Sequence, residues 1–373
     1  MEVDEYDPTG TALLYRGWSR GVTLSQGEAK TVEVAMHAKG AIVTVCGAAA
    51  SGGEGASGDS GDGGLDNAAL LGYPSAVKAG PDDAIYVSSS AYGRVRRIDR
   101  HGYVSHFAGN GVYGAVSAGQ ALSSAPVGHV ADIDFDPAGN VYLLTYFNQV
   151  VKAAGGVITS VMHDNGTYSN VSWLNMAVVD EDQVFFVNSL DPRVYWLNKL
   201  EKIIFVLDNT PHDATEPYDR LRYPISGPSG IAYARQSDSL VFADTGNDRI
   251  MELRFSDLGI VRLVADAGGA PFTEGADPLA MAPARPNVVE YNPVTGKVFF
   301  VEEDRHRVLY VDPSNRVRTF AGTGVAGFTG DGGPAVEARL RDPRAVAVDS
   351  RGNAYIADCG NHAIRMVVGG ALP

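Results

Sequence analysis

The fold is decided by residues 341–367, which read RDPRAVAVDSRGNAYIADCGNHAIRMV. Three short apolar runs of strand length follow one another: Ala345–Val348, Tyr355–Ala357 and Ile364–Val368. Turn signals separate them, and Gly352 and Asn353 are residues that adopt the left-handed backbone of a tight hairpin. A three-stranded meander cannot bury both of its faces alone, so we expect it to pack against copies of itself.

Six such units occupy the chain. Their middle strands align on one mostly aromatic position, which is filled by Tyr86, Tyr142, Phe185, Val241, Phe299 and Tyr355. The middle strand ends in an acid in the last three units (Asp244, Glu302 and Asp358) and in Ser89, Thr145 or Asn188 in the first three. A basic residue opens the third strand in four units (Arg94, Arg193, Arg249 and Arg307), whereas Gln149 and Ala363 take that place in the others. A pattern that recurs six times predicts a repeat architecture.

Two segments carry a resemblance to a known family. The stretches 244–250 (DTGNDRI) and 358–364 (DCGNHAI) resemble the NHL repeat, a β-propeller repeat, and Pro228–Ala232 and Pro343–Ala347 resemble its first strand. The resemblance covers roughly residues 41–373 and implies an all-β, six-bladed β-propeller.

The N-terminal part is predicted to close that ring. Residues 41–47 match the outer strands of units one and five, and unit six lacks an outer strand of its own. We therefore expect this N-terminal strand to complete the last blade, which removes an open edge. Residues 1–40 form either a β extension or the remnant of a preceding β-sandwich domain, with strands at Leu13–Tyr15, Val22–Leu24 and Thr31–Met36.

The same placement makes a prediction about the two cysteines. Cys46 would lie on the fourth strand and Cys359 at the end of the second strand of one blade, with the third strand between them. Their Cα atoms should then be about 9–10 Å apart, which exceeds the range of about 4.4–6.8 Å that a disulfide spans. We expect two free thiols.

The glycine-rich stretch 52–64 resembles a phosphate-binding loop, but no Lys-Ser or Lys-Thr pair follows it and its charge is negative. The spacing of Asp59 and Asp62 does not fit an EF-hand loop. We interpret it as a crossover between blades, in which Asp62 and the corresponding Asp331 cap short helical turns.

Charge and hydropathy restrict the partners. The formal net charge is −14, which disfavours nucleic acid as a partner because phosphate binding depends on basic surface. No run of 18 apolar residues occurs, so no membrane span is expected. The acidic start is not a signal peptide, which indicates a cytoplasmic protein if Met1 is native and a surface or extracellular protein if the chain is a trimmed piece.

Propeller ligands bind where several loops converge, so we place the candidate site on the face that carries the turns after the second strands. The candidates for binding a ligand there are His129, Asp132, Asn188, Arg193, Asp244, Arg249, Glu302, Arg305, His306, Arg307 and Asp358. A structural alternative exists for the acids and arginines of the repeat, since an acid that ends one strand pairs readily with an arginine that opens the next.

Three functions fit this sequence. The first is a binding module that presents the loops of this face to a protein, peptide or carbohydrate partner. The second is a metal-dependent hydrolase or lyase, because gluconolactonase-like propellers hold a central calcium and the peptidyl-hydroxyglycine lyase propeller holds zinc on channel histidines. Calcium is the cofactor considered, with Asn188, Asp244 and Glu302 as weak ligand candidates. Of the eight histidines, His129, His306 and His362 are the ones expected near the channel mouth, and they match no motif of the lyase. The third is a stability module of a larger surface protein.

Overall fold

The computed structural model describes residues 2–6, 13–18, 35–47, 56–65, 68–145, 149–163, 173–188, 190–197, 203–208, 224–257, 259–264, 272–281, 283–312 and 314–371. They form seven antiparallel sheets, six of four strands and one of three. The helical elements within these ranges are short 3-10 turns, and none is long and apolar enough to cross a membrane.

The strands follow the chain in order. The N-terminal part contains β1 (Glu2–Tyr6), β2 (Leu13–Trp18), β3 (Ala35–Ala38) and β4 (Ile42–Cys46). Blade 1 contains β5 (Pro74–Ala79), β6 (Ile85–Ser89), β7 (Arg94–Ile98) and β8 (Val104–Ala108). Blade 2 contains β9 (Val130–Phe135), β10 (Val141–Thr145), β11 (Gln149–Ala154) and β12 (Val157–His163). Blade 3 contains β13 (Trp173–Asp180), β14 (Gln183–Asn188), β15 (Asp191–Leu197) and β16 (Ile203–Asp208). Blade 4 contains β17 (Gly230–Ala234), β18 (Ser239–Asp244), β19 (Arg249–Arg254) and β20 (Ile260–Val264). Blade 5 contains β21 (Val289–Tyr291), β22 (Val298–Glu302), β23 (Arg307–Val311) and β24 (Val317–Ala321). Blade 6 contains β25 (Pro343–Val348), β26 (Ala354–Asp358) and β27 (Ala363–Val367), and β4 is its fourth strand.

The six blades form a closed ring, as the sequence predicts. The first strand of each blade lies beside the first strand of the next, and β25 of blade 6 lies beside β5 of blade 1. These first strands are therefore the inner strands around the axis. The apolar clusters lie between neighbouring blades, so each blade buries its faces against two others.

The predicted closure by the N-terminal strand is confirmed. β4 pairs antiparallel with β27, with Ile42 opposite Val367 and Cys46 opposite Ile364. Ile42 is fully buried. Cys46 and Cys359 are both buried and are not joined in a disulfide, as expected from the strand that separates them.

The N-terminal sheet agrees in part with the prediction. The strand predicted at Leu13–Tyr15 extends to Trp18, and the one predicted at Thr31–Met36 is described from Ala35 onwards. The strand predicted at Val22–Leu24 lies outside the described residues. Whether this sheet is an extension or the remnant of another domain stays a prediction.

In the three blades where the aligned aromatic residue is tyrosine, its hydroxyl explains the choice of residue. The hydroxyls of Tyr86, Tyr142 and Tyr355 donate hydrogen bonds to Asp82 (3.1 Å), Asp136 (3.3 Å) and Asp349 (3.1 Å), respectively. Each of these aspartates follows the inner strand of its blade, so the tyrosine fastens the turn between the first two strands.

The helix cap predicted for Asp331 is wrong. The 3-10 turn over Ala335–Glu337 begins at Pro334 without a side-chain cap. Asp331 instead accepts a hydrogen bond from Arg365 at 2.7 Å, because that guanidinium is fully buried in β27 and needs a counter-charge. Asp62 lies in the same way 3.1 Å from the buried Arg96 of β7. The two glycine-rich crossovers thus neutralise one buried arginine each.

Candidate functional site

A cavity of about 250 Å³ lies on the axis of the ring. It is lined by residues of all six inner strands and of the segments just before them, so it lies on the side where the inner strands begin. This is also the side of the turns after the second strands, which is the predicted face. The polar side chains of its lining are Ser75, Lys78, His129, Asp132, Asn175, Ser229, Asn287, Glu290, Glu303 and Arg344.

A lysine surrounded by carboxylates occupies the centre of the ring. Lys78 Nζ of blade 1 lies 3.2 Å from Asp134 Oδ1 of blade 2 and 3.3 Å from Glu290 Oε2 of blade 5. Burial alone would lower the Lys78 pKa, but the attraction of Asp134, Glu290 and Asp132 outweighs it, and the pKa is raised. Burial raises the Glu290 pKa. These charges connect three blades across the axis.

Asp132 connects blade 2 to blade 3 and faces the cavity. Its Oδ2 accepts hydrogen bonds from Asn175 Nδ2 at 2.7 Å and from the Met176 backbone N–H at 2.8 Å. Asn175 Oδ1 in turn accepts from the Ile231 backbone N–H of blade 4 at 2.6 Å. Burial raises the Asp132 pKa to about 7, although the hydrogen bond from Met176 and the charge of Lys78 oppose the shift. The side chains therefore satisfy backbone groups on the free edges of the inner strands.

The cavity entrance carries one histidine and one arginine. His129 Nε2 lies 3.2 Å from Ser75 Oγ. Burial, and to a lesser extent the charge of Arg344, lowers the His129 pKa to about 4, so its imidazole is neutral at pH 7. Arg344 Nε donates to Glu303 Oε1 at 3.1 Å and joins blades 6 and 5.

The predicted acids of the repeat lie apart from the cavity and are buried. Asp244 accepts from Arg249 Nε at 2.6 Å and from the Ser226 backbone N–H at 2.6 Å. Glu302 accepts from Arg307 Nε at 2.5 Å and from the Ala284 backbone N–H at 2.7 Å. The predicted acid–arginine pairs are therefore present in blades 4 and 5, where each also fastens the incoming crossover to its blade.

Blade 6 uses the same arrangement with the arginine displaced. Ala363 stands where the other blades have arginine, and Asp358 instead pairs with Arg365 at 3.5 Å and accepts from the Arg341 backbone N–H at 2.7 Å. Burial raises the Asp358 pKa to about 6. In blade 3, Asn188 is fully buried and its Oδ1 accepts from the Leu190 backbone N–H at 2.8 Å, while Arg193 is half-buried.

His306 belongs to a series of contacts between blades. Asp248, His306 and His362 each end a 3-10 turn in a left-handed conformation. Their side chains accept hydrogen bonds from the backbone N–H groups of Arg285 (2.9 Å), Asp342 (3.2 Å) and Tyr73 (3.1 Å) in the next blade. Arg305 precedes His306 and is exposed.

Of the predicted site residues, the structure brings only His129 and Asp132 together at the axial cavity. Asn188, Asp244 and Glu302, the calcium candidates, lie in three different blades and are engaged by their own turns and crossovers. Within the described ranges, no three His, Cys, Asp or Glu side chains are placed to hold a metal ion. Sequence reasoning missed Lys78, Asn175, Glu290 and Arg344; the available signal was a polar residue inside an otherwise apolar inner strand.

Three tyrosines lie beside the segments that lead into the inner strands of blades 1 and 2; we call Tyr73, Tyr92 and Tyr113 the tyrosine rim. Tyr73 immediately precedes the inner strand β5 and is 49% exposed. Tyr113 is 53% exposed, and its ring covers Gly128, where a Cβ atom would lie 2.6 Å from the ring. Gly128 directly precedes His129, which lines the cavity, so Tyr113 lies near the cavity entrance. Tyr92 covers Gly72 in the same way.

Six four-stranded antiparallel blades around an axis define the class of the protein as a six-bladed β-propeller. The NHL repeat family model matches residues 340–365, which contain β25, β26 and the first three residues of β27 in blade 6. The chain is therefore a six-bladed β-propeller in which residues 340–365 match the NHL repeat.

Comparison with known proteins adds three similar chains. An auxiliary nutrient binding protein from Bacteroides thetaiotaomicron is 15% identical, with a TM-score of 0.63 over 87% of this chain and 75% of that one. A gluconolactonase from Xanthomonas campestris is 11% identical, with a TM-score of 0.51 over 79% and 86%. Such identities show a shared fold alone. Protein SUPPRESSOR OF QUENCHING 1 of Arabidopsis thaliana is 31% identical over 153 residues, which cover 38% of this chain and 14% of that protein.

Proposed function

We propose that the protein is a binding module that receives a protein, peptide or carbohydrate partner on the tyrosine rim and the axial cavity. The observation that carries this proposal is the position of two exposed tyrosines, Tyr73 and Tyr113, beside the segments that lead into a polar cavity where six blades converge. Exposed aromatic residues next to a cavity are typical of interaction sites, since removal of apolar surface from water is favourable.

The cavity size restricts what enters it. Pockets that enclose a drug-sized ligand have volumes of about 300–1,000 Å³, whereas this cavity has about 250 Å³. It accommodates one side chain or one sugar-sized group of a partner. The rest of the partner then lies on the rim, where Tyr73 and Tyr113 offer rigid contact area with a hydroxyl at the edge.

The comparisons support a binding role in a limited way. The Bacteroides propeller of the same fold is named as an auxiliary nutrient binding protein, and a carbohydrate is one partner of that kind. The proposal for this chain rests on its own rim and cavity, because the same fold serves many functions.

The second candidate is a metal-dependent hydrolase or lyase at the axis. The gluconolactonase of similar fold favours it, and so does the raised pKa of Asp132, since shifted pKa values are common at catalytic sites. Such an enzyme needs a metal, and the described residues offer no cluster of three protein ligands. Elemental analysis of purified protein separates the two candidates: a stoichiometric divalent metal would replace the binding proposal with the enzyme.

The direct test uses two probes, a phage-displayed random peptide library and a glycan array. The variant is Tyr73→Ala together with Tyr113→Ala, and the matched control is Tyr103→Ala, a tyrosine 40% exposed in the β7–β8 turn on the opposite face. We expect at least one probe to bind wild type and the control but not the rim variant. Absence of binding to both probes, or equal binding by the rim variant, would refute the proposal.

A further inference from the structure

We infer that the group of the partner that enters the axial cavity is a primary ammonium, the side chain of a lysine in a basic peptide. The inference rests on the proposed binding function and specifies the chemistry of its partner. It depends on the charge balance inside the cavity, on the position of Asp132 and on the adjacent rim.

The charges around the cavity are not balanced. Asp132, Asp134 and Glu290 supply three carboxyl groups near the axis, and Lys78 supplies one ammonium. The other cation of the lining, Arg344, is paired with Glu303 at the entrance, and His129 is neutral. A cation from a partner would therefore improve the balance, whereas an anion would worsen it.

Asp132 is the carboxylate without a cation of its own. Within the part of the chain that the structure describes, its partners are the Ile133 and Met176 backbone N–H groups and the Asn175 amide, and it forms no ion pair. It is only 9% exposed, yet it lines the cavity. A buried carboxylate that faces an open space without an ion-pair partner is an unfavourable arrangement for stability, and a bound ammonium would relieve it.

Beyond Glu303, which is paired with Arg344 at the entrance, Asp132 is the first acid that a group entering from the rim would meet. It is the third residue of its inner strand, whereas Lys78 and Asp134 are the fifth residues of theirs. Two residues of a strand correspond to about 6–7 Å along the axis. The Lys78 ion pairs thus form the floor of the cavity, and Asp132 lies above that floor.

The rim provides the second half of the binding surface. The methylene stem of a lysine packs on aromatic faces while its charged end remains in polar surroundings, and tyrosine faces attract cations directly. The net charge of −14 also favours association with a basic partner. These features favour the binding of a basic peptide over an acidic one at this surface.

The inference includes a pH dependence. Asp132, with its raised pKa of about 7, is half protonated near neutral pH. The charged groups that act on Asp132 are Lys78 of β5 and Asp134 of its own strand, and Glu290 and His129 line the same cavity. An ammonium binds best to the ionised carboxylate, so affinity should increase as the pH rises from 6 to 8.

The experiment starts from the phage-displayed peptide library selected on the wild-type protein. We expect lysine to be enriched over glutamine in the selected clones. The most enriched peptide is then synthesised with lysine and with Nε-acetyl-lysine, and we expect acetylation to weaken binding about tenfold or more in calorimetry. Butylamine is added as a competitor, which distinguishes binding of any free amine from binding that requires a lysine side chain within a peptide.

Two variants locate the effect. Asp132→Asn should reduce the preference for lysine over acetyl-lysine, while Asp304→Asn, an exposed acid on the same face, should leave it unchanged. Denaturation curves check that both variants are folded. If Asp132→Asn does not fold, the second measurement uses wild type, which should lose its preference for lysine over acetyl-lysine below pH 6. Rim-dependent clones without lysine enrichment, or equal binding of acetyl-lysine, would overturn the inference while the binding function stands. Failure of both probes on wild type would instead refute the binding function.

Discussion

The Lys78→Met substitution tests the charges at the centre of the ring. It removes the ammonium that lies 3.2 Å from Asp134 and 3.3 Å from Glu290 and keeps the apolar stem. Removal of one partner of a buried ion pair costs about 3–5 kcal/mol. Because the Lys78 side chain keeps 25% of its surface exposed, we expect a smaller loss of unfolding free energy, about 2–3 kcal/mol at pH 8.

The loss of unfolding free energy in Lys78→Met should become smaller as the pH falls. The Lys78 pKa is raised above the ordinary lysine value of 10.5, so its stabilisation of wild type is fully present below that value and constant from pH 5 to 8. In the variant, Glu290 and Asp132 lose the nearby ammonium, and their raised pKa values rise further above those of the unfolded chain. Their stabilising protonation is present at acid pH and is lost as the pH rises. The difference between wild type and variant should therefore shrink to about 1 kcal/mol at pH 5.

Guanidinium chloride denaturation at pH 5, 6, 7 and 8 measures this difference. The control is Arg254→Met, which removes an exposed pair with Asp257 at 2.9 Å and should cost less than about 1 kcal/mol at every pH. The electrostatic account of the axis would be refuted if Lys78→Met lost no more unfolding free energy than the control. It would also be refuted if that loss stayed constant or increased toward pH 5.

Three further predictions concern the ring itself. Deletion of residues 41–46 should increase hydrogen exchange in the inner strands of all six blades, because β4 closes the ring through β27; faster exchange in blade 6 alone would contradict this. Asp358→Ala should lower the unfolding free energy by about 2–4 kcal/mol, since the buried Arg365 loses a counter-charge and a backbone N–H loses its acceptor; a loss below about 0.5 kcal/mol in urea denaturation would refute it. Cys46 and Cys359 should react with a thiol reagent only after unfolding, because both are buried and burial raises the Cys359 pKa to about 11; rapid labelling of the native protein, or fewer than two thiols after unfolding, would contradict it.

The architecture was accessible from the sequence because its signals are local and repeated. Alternating apolar runs and turn residues define each strand within a few positions, and six copies make the pattern hard to mistake. The match of residues 41–47 to the other outer strands predicted the closure of blade 6. The acid–arginine pairs, such as Asp244 with Arg249, were predictable for the same reason, since both partners lie within one hairpin.

The chemistry of the axis was not accessible in that way. Lys78, Asp132, Asn175 and Glu290 each stand in the inner strand of a different blade, and nothing in the local pattern relates one to another. Their convergence exists only because six twisted sheets close around a common axis, which brings residues far apart in the chain within hydrogen-bond distance. The sequence by itself determined the blades and their order; the tertiary structure decided which polar residues meet at the centre, because that depends on ring closure and not on any single repeat.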